Sequence, residues 1–192
     1  MQMMTDKAED PERLSRIHHY IGDVMGFIGQ RSGSVHFLEQ AAMSYEQALE
    51  LRHQEEFPTE WAQSKYNLGV VMHAIGQLED DPRMLKQALE TYKQAVNLVR
   101  REDNPLDWAA AMCSVGTVLC QLGTHRRGAR TLEQSLVAFR NALAERTRDG
   151  HPHAGPSLRT MSRPRCRRSA NTRRISPRWK RVFRFTMRSL PL

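Results

Sequence analysis

Cysteine is scarce in this 192-residue chain: Cys113, Cys120 and Cys166 are its only thiols, and they follow no pattern. A disulfide framework needs paired cysteines at set spacings, so none is expected, and the usage fits a reducing, cytoplasmic compartment. Long apolar runs are missing too; no stretch of roughly 18 consecutive apolar residues reads as a bilayer span. The first residues, Met1 to Glu12, are polar and acidic, unlike the basic-then-apolar opening of a secretory signal. Strand-type alternation is absent, which leaves an all-α chain. No glycine-rich phosphate loop, GxSxG or HExxH occurs. With no constellation for chemistry in the sequence, neither enzyme activity nor a cofactor is expected.

Acidic residues are lacking from one region only. Residues 155–192 hold 12 Lys and Arg and no Asp or Glu, whereas residues 1–154 hold 17 Lys and Arg against 21 Asp and Glu. The formal charge of +8 therefore combines a body of net −4 with a tail of net +12. Any nucleic-acid argument from basicity concerns the tail alone.

What is present is a period. Displaced against itself by 47 residues, the chain superimposes Ile21-Gly22 on Leu68-Gly69 and Val115-Gly116. Gly29, Gly76 and Gly123 coincide, as do Leu38, Leu85 and Leu132, then Tyr45, Tyr92 and Phe139, then Ala48, Ala95 and Ala142. Trp61-Ala62 recurs as Trp108-Ala109. A fixed period carried by small and apolar positions marks stacked supersecondary units. Each unit divides into two helices. Asp10-Pro11, Asp81-Pro82 and Asn104-Pro105 read as a capping residue followed by proline in the first turn, with Phe57-Pro58 a weaker start. Gly29, Gly76 and Gly123 are expected at the stop of each first helix. The second helices show apolar residues at helical spacing, as in Leu85, Ala88, Leu89, Tyr92, Ala95, Val96 and Val99.

These positions resemble the tetratricopeptide repeat, whose pattern runs Trp, Leu-Gly, an aromatic, Gly, then Ala, an aromatic and Ala. The middle unit matches with Leu68-Gly69, Met72, Gly76, Ala88, Tyr92 and Ala95. The usual repeat has 34 residues; here there are 47, attributed to longer helices and a longer intra-hairpin segment such as Gln77 to Arg83. Pro58-Thr59-Glu60-Trp61-Ala62 and Pro105-Leu106-Asp107-Trp108-Ala109 are similar to the opening of a long-repeat variety found in large bacterial proteins. The resemblance implies a right-handed superhelical array, an α-solenoid, of three antiparallel hairpins over residues 1–154, with units at about 14–60, 61–107 and 108–154. It further implies a protein-interaction scaffold that takes a peptide or helix on its concave face. Counted from Leu68-Gly69, that face comprises Gln63, Tyr66, Val70 and His73, then Arg16, His19 and Asp23 in the first unit and Ala110, Cys113, Thr117 and Cys120 in the third. Asn67 matches a position where some family members clamp a ligand carboxylate, but its basic partners are missing here. Trp61 and Trp108 are expected to pack at hairpin junctions. His18-His19 and His151-Pro152-His153 are not expected to bind metal, since adjacent helical residues diverge by about 100° and no third ligand is suitably spaced. The outer face of the third hairpin (Leu132, Leu136, Phe139, Leu143) lacks a capping helix, so self-association is expected.

A fourth repeat would begin with Trp at position 155, but Gly155 and an irregular Arg/Ser/Pro-rich tail follow instead. The neighbouring frame offers an explanation. If one T is missing after the Ala154 codon, a permitted codon choice for residues 155–170 reads WAQSANHVAAALSALG, whose Leu-Gly falls one period after Leu122-Gly123. The tail is thus read as disordered, out-of-frame translation of a fourth repeat, with the gene's nucleotide sequence as arbiter. The alternative is a native basic tail that binds nucleic acid or an acidic surface, with Trp179, Phe183 and Phe185 available for stacking. That alternative predicts salt-sensitive nucleic-acid binding by the whole chain, abolished by truncation after Ala154. Binding retained by the truncated chain would remove the tail as its source.

Overall fold

The computed structural model describes residues 10–126 and 128–148. They form six helices: α1 (Pro11–Ser32), α2 (Val35–Leu51), α3 (Pro58–Leu78), α4 (Pro82–Leu98), α5 (Pro105–Arg126) and α6 (Ala129–Arg148). Among the described residues there is no strand. The 155–192 tail, with its frame question and its stacking aromatics, lies outside them, as do His151, His153 and Cys166.

Four helices open on proline, at Pro11, Pro58, Pro82 and Pro105. In the first helical turn the missing N–H of proline costs nothing, because that N–H has no intrahelical acceptor. Asp10 caps α1 by accepting from the Glu12 N–H at 3.1 Å, and Asp81 caps α4 by accepting from the Arg83 N–H at 2.8 Å. Phe57 provides no side-chain cap to α3, in keeping with its weaker signal.

The expected stop glycines do not end their helices. Gly29, Gly76 and Gly123 lie inside α1, α3 and α5, each buried beneath a leucine of the following helix. A Cβ on Gly29 would meet Leu38 at 2.8 Å, one on Gly76 would meet Leu85 at 2.9 Å, and one on Gly123 would meet Leu132 at 2.7 Å. Close approach, not chain reversal, is what requires glycine there. The reversal falls a few residues later, at the left-handed Gly33 (φ 69°) and, one period on, Asp80 (φ 55°). Their successors Ser34 and Asp81 donate N–H bonds of 3.0–3.1 Å to the carbonyls of Gly29 and Gly76, and Gly128 donates to that of Gly123 at 3.0 Å.

The turns within hairpins are consequently short, Gly33–Ser34 and Glu79–Asp81, and the long Gln77–Arg83 segment is not one. Gln77 and Leu78 finish α3 and Pro82 and Arg83 begin α4. The length of the repeat resides in its helices and in the six-residue links Arg52–Phe57 and Val99–Asn104 between hairpins. Each helix packs against its neighbours in sequence, α1 on α2, α2 on α3 and so on to α6. One apolar cluster joins Leu38, Ala41 and Tyr45 of α2 to Leu68, Val71 and Ile75 of α3. A second joins Leu85, Leu89 and Tyr92 of α4 to Val115, Val118 and Leu122 of α5. By length and a mean hydropathy of 1.2, Pro105–His125 would pass as a bilayer span, although no unbroken apolar run is visible in it. Half of that window is buried in the fold, packed against α4 and α6.

The glycines give a test with opposite signs. At Gly69 a Cβ would lie 2.9 Å from the Tyr92 ring, which is itself enclosed, whereas at Gly26 the nearest atom is a Val71 methyl at 3.5 Å. Gly26→Ala is expected to stabilise the fold by up to about 1 kcal/mol through helix propensity. Gly69→Ala is expected to lose about 1–2 kcal/mol net, because overpacking outweighs that gain. Urea unfolding of the two variants checks both signs, and equal midpoints would contradict the contact.

Candidate functional site

Polar side chains of the first helices meet at the two junctions between hairpins. His19 on α1 pairs its Nδ1 with the Ser64 hydroxyl of α3 at 2.8 Å, and its Nε2 faces the Asp23 carboxylate at 3.6 Å. Asp23 accepts from the Tyr45 hydroxyl at 2.7 Å and from the Asn67 amide at 3.0 Å. The second junction repeats the arrangement with other residues. The Tyr66 and Ser114 hydroxyls are 2.8 Å apart, and His73 Nε2 lies 2.8 Å from Gln121 and 3.0 Å from Gln77. Tyr66 and His73 both lean on the ring of Tyr92, with centroids 5.3 and 6.3 Å away.

The eleven expected groove positions therefore divide. His19, His73 and Ala110 are buried. Asp23, Tyr66, Val70, Cys113, Thr117 and Cys120 are half-buried, with Val70 against the second apolar cluster. The Thr117 hydroxyl turns back to the Cys113 carbonyl at 2.8 Å. Arg16 and Gln63 are exposed, Arg16 near Glu12 at 4.0 Å. Asn67 is held by Asp23. Four of these pairings went unread in the sequence: His19–Ser64, Asp23–Asn67, Tyr66–Ser114 and His73–Gln121. Their separations of 44–48 residues scatter closely around the period, and that was the available signal.

Ser64, His19 and Asp23 have the connectivity of a hydrolytic triad but not its access. Ser64 is 1% exposed, and its hydroxyl also lies 3.0 Å from the Glu60 carbonyl of its own helix. A nucleophile must reach a substrate carbon, so the trio functions as a buried junction. Among the described residues no group of three or more His, Cys, Asp or Glu side chains could hold a metal ion. An open, largely apolar cleft of about 420 Å³ lies between α5 and α6, lined by Met112, Val115, Leu119, Val137 and Ala138, with Arg130, Glu133 and Gln134 of α6 on its polar side. Trp61 and Trp108 are half-buried, each with a cation over the ring: Lys65 Nζ at 5.2 Å and the Arg101 guanidinium at 5.0 Å. Arg101 also pairs with the buried Glu145 of α6, tying the link before α5 to the last hairpin.

Burial lowers the pKa of both junction histidines. At His19 desolvation outweighs the opposing pull of Asp23 and is reinforced by Arg52; at His73 desolvation outweighs the bond to Gln121. Burial, reinforced by Asp23, pushes Tyr45 far up, and burial also raises Tyr66 and Tyr92, so all three phenols stay neutral. For a histidine lowered from 6.5, the unfolded chain holds more protons than the folded one as pH falls through that value. The associated stability is complete above the unfolded pKa and declines as pH drops towards the folded one. Thermal melts from about pH 7.5 to 5 should show a falling midpoint, with a shallower fall in His73→Gln. Identical slopes for the two proteins would clear His73 of the effect.

Comparison with protein-family models, curated proteins and solved structures returns no match to this chain.

Proposed function

We propose that the chain is a non-catalytic interaction scaffold of the tetratricopeptide class, its three hairpins arranged as a right-handed superhelical array. In this reading α1, α3 and α5 line the concave face, which takes a peptide or helix from a partner protein. The observation that carries it is the run of hydrogen bonds from α1 to α3 and from α3 to α5, which joins side chains of successive first helices that lie within three residues of equivalent positions. In this reading the three first helices offer a partner a similar spacing three times, as an extended peptide or a helix requires.

Within that surface the residues split by task. His19, Tyr66 and His73 hold the helices together, and Arg16, Gln63, Asp23, Val70 and Thr117 remain at or near the surface to meet a ligand. Selection from a displayed peptide library on the full chain should recover binders. The double substitution Arg16→Glu, Gln63→Glu should weaken them about tenfold or more without moving the melting temperature, since both side chains are exposed. Binders that ignore the substitution would place recognition elsewhere, and a selection that recovers none would count against the scaffold reading.

A further inference from the structure

The two ends of the hairpin stack carry the two halves of the interface that its interior repeats. Along α1, Ile17, Tyr20, Ile21, Val24, Phe27 and Ile28 form one solvent-exposed stripe at helical spacing, with Tyr20 65% and Val24 58% exposed. One period later that stripe becomes Leu68, Val71 and Ile75 of α3, which α2 covers. Two periods later it becomes Val115, Val118 and Leu122 of α5, which α4 covers. The face that α1 leaves open is thus the face by which every later hairpin docks on the one before it.

The complementary half lies at the other end. Leu132, Leu136, Phe139 and Leu143 of α6 stand one period after Leu85, Leu89, Tyr92 and Val96, the residues with which α4 covers α5. Leu85, Leu89 and Tyr92 are buried, whereas Leu132, Leu136 and Phe139 are only half-buried and Leu143 is 41% exposed. The outer face expected to be exposed is thus only partly so: Leu132 and Phe139 lie against the glycines of α5, and of the four only Leu143 is exposed.

The polar rung of the interface is altered in a matched way at the two ends. Inside the stack it pairs His19 with Ser64, Asp23 with Asn67 and His73 with Gln121. At the corresponding positions α1 offers Ile17, Tyr20 and Phe27, and α5 offers Cys113, Thr117 and Cys120. Thr117 directs its hydroxyl to its own helix, so the two end faces are soft and largely apolar towards one another. A docked copy would leave few polar groups stranded.

We propose that α1 of one copy docks on α5 and α6 of a second copy, head to tail, continuing the junction that α2 makes with α3 and α4 makes with α5. Such contact is heterologous, so each added copy leaves an open end and assembly passes beyond the dimer. It does not depend on what the α1–α3–α5 surface binds.

The test is sedimentation velocity on the full chain over a wide concentration range, with Val24→Glu and Leu143→Glu as end-blocking variants. Both side chains are exposed in the single copy, so circular dichroism should show each variant folded. The unaltered chain should gain mass with concentration past the dimer. Each variant alone should associate about tenfold or more weakly, because the interface would bury an unpaired carboxylate. Mixed, the two variants should form a one-to-one dimer and nothing larger, since one intact end remains on each. A monomer at every concentration, undiminished assembly by either single variant, or a mixture that stays monomeric would each overturn the proposal.

Discussion

Each hairpin is held by two large side chains lying directly on glycine backbone, and most of the fold follows from that contact. The first helices carry glycines seven residues apart, Gly22 and Gly29 and their equivalents, and the second helices carry Leu38 and Tyr45 at the same separation. Seven residues are about two turns, so each pair lies on one side of its helix. In an antiparallel hairpin the order reverses, and Gly22 meets Tyr45 while Gly29 meets Leu38. Both contacts form in one register only; a slip by a turn would drive a ring or a leucine into a side chain. The same residues then reach beyond the hairpin, since Leu38 and Tyr45 also belong to the cluster that receives α3. Intra-hairpin approach and inter-hairpin packing are fixed by one set of atoms, which is why the 47-residue spacing admits no insertion among the three units.

With the apolar contacts uniform, individuality lies in the polar positions. The Tyr45 hydroxyl is buried against Asp23, which also accepts from Asn67. In the third unit Phe139 replaces the tyrosine and Thr117 replaces the aspartate, so the hydroxyl and its acceptor disappear together. In the middle unit Val70 stands at the aspartate position while Tyr92 keeps its hydroxyl, and Ser114 takes over as its partner, so that no buried hydroxyl is stranded at the cost of its desolvation. The first junction is thus a charged network around Asp23. The second is a neutral one in which Tyr66, His73 and Ser114 surround Tyr92. Two junctions built from different hydrogen bonds are harder to interchange than two built from leucine alone, which favours the chain's own order of stacking.

The repeat was legible because the contacts that create it need small residues beside large ones, and those classes survive in a single sequence. Helix starts were legible at Pro11, Pro82 and Pro105 for the same kind of reason, a local requirement with a local signature. The roles of Gly29, Gly76 and Gly123 were misread because glycine answers two demands, a left-handed turn and a close approach, and the sequence does not distinguish them. Asp80 shows the converse: the left-handed residue of the second turn is not glycine, so the true position of the reversal was masked. The partners of His19, Asp23, Tyr66 and His73 were not legible, because they lie nearly a full period away in sequence. Periodicity identifies equivalent positions without saying which of them touch.

The interlocking of His19, Tyr66 and His73 narrows what a partner of the proposed scaffold could be. A ligand that recognised either imidazole would have to break a buried bond to do so, and neither ring is charged near neutral pH, since burial lowers both. Asp23 already accepts two hydrogen bonds, so it supplies local negative potential more readily than a new directed contact. Arg16 lies beside Glu12, which leaves little net charge at that edge. Binding on this surface would then draw on shape, on Gln63 and on the apolar flanks of Val70 and Thr117. Such a site favours a peptide with small or apolar side chains at regular spacing, and it disfavours one read through paired charges. Salt should therefore affect such binding weakly, in contrast to any contact made through the basic tail.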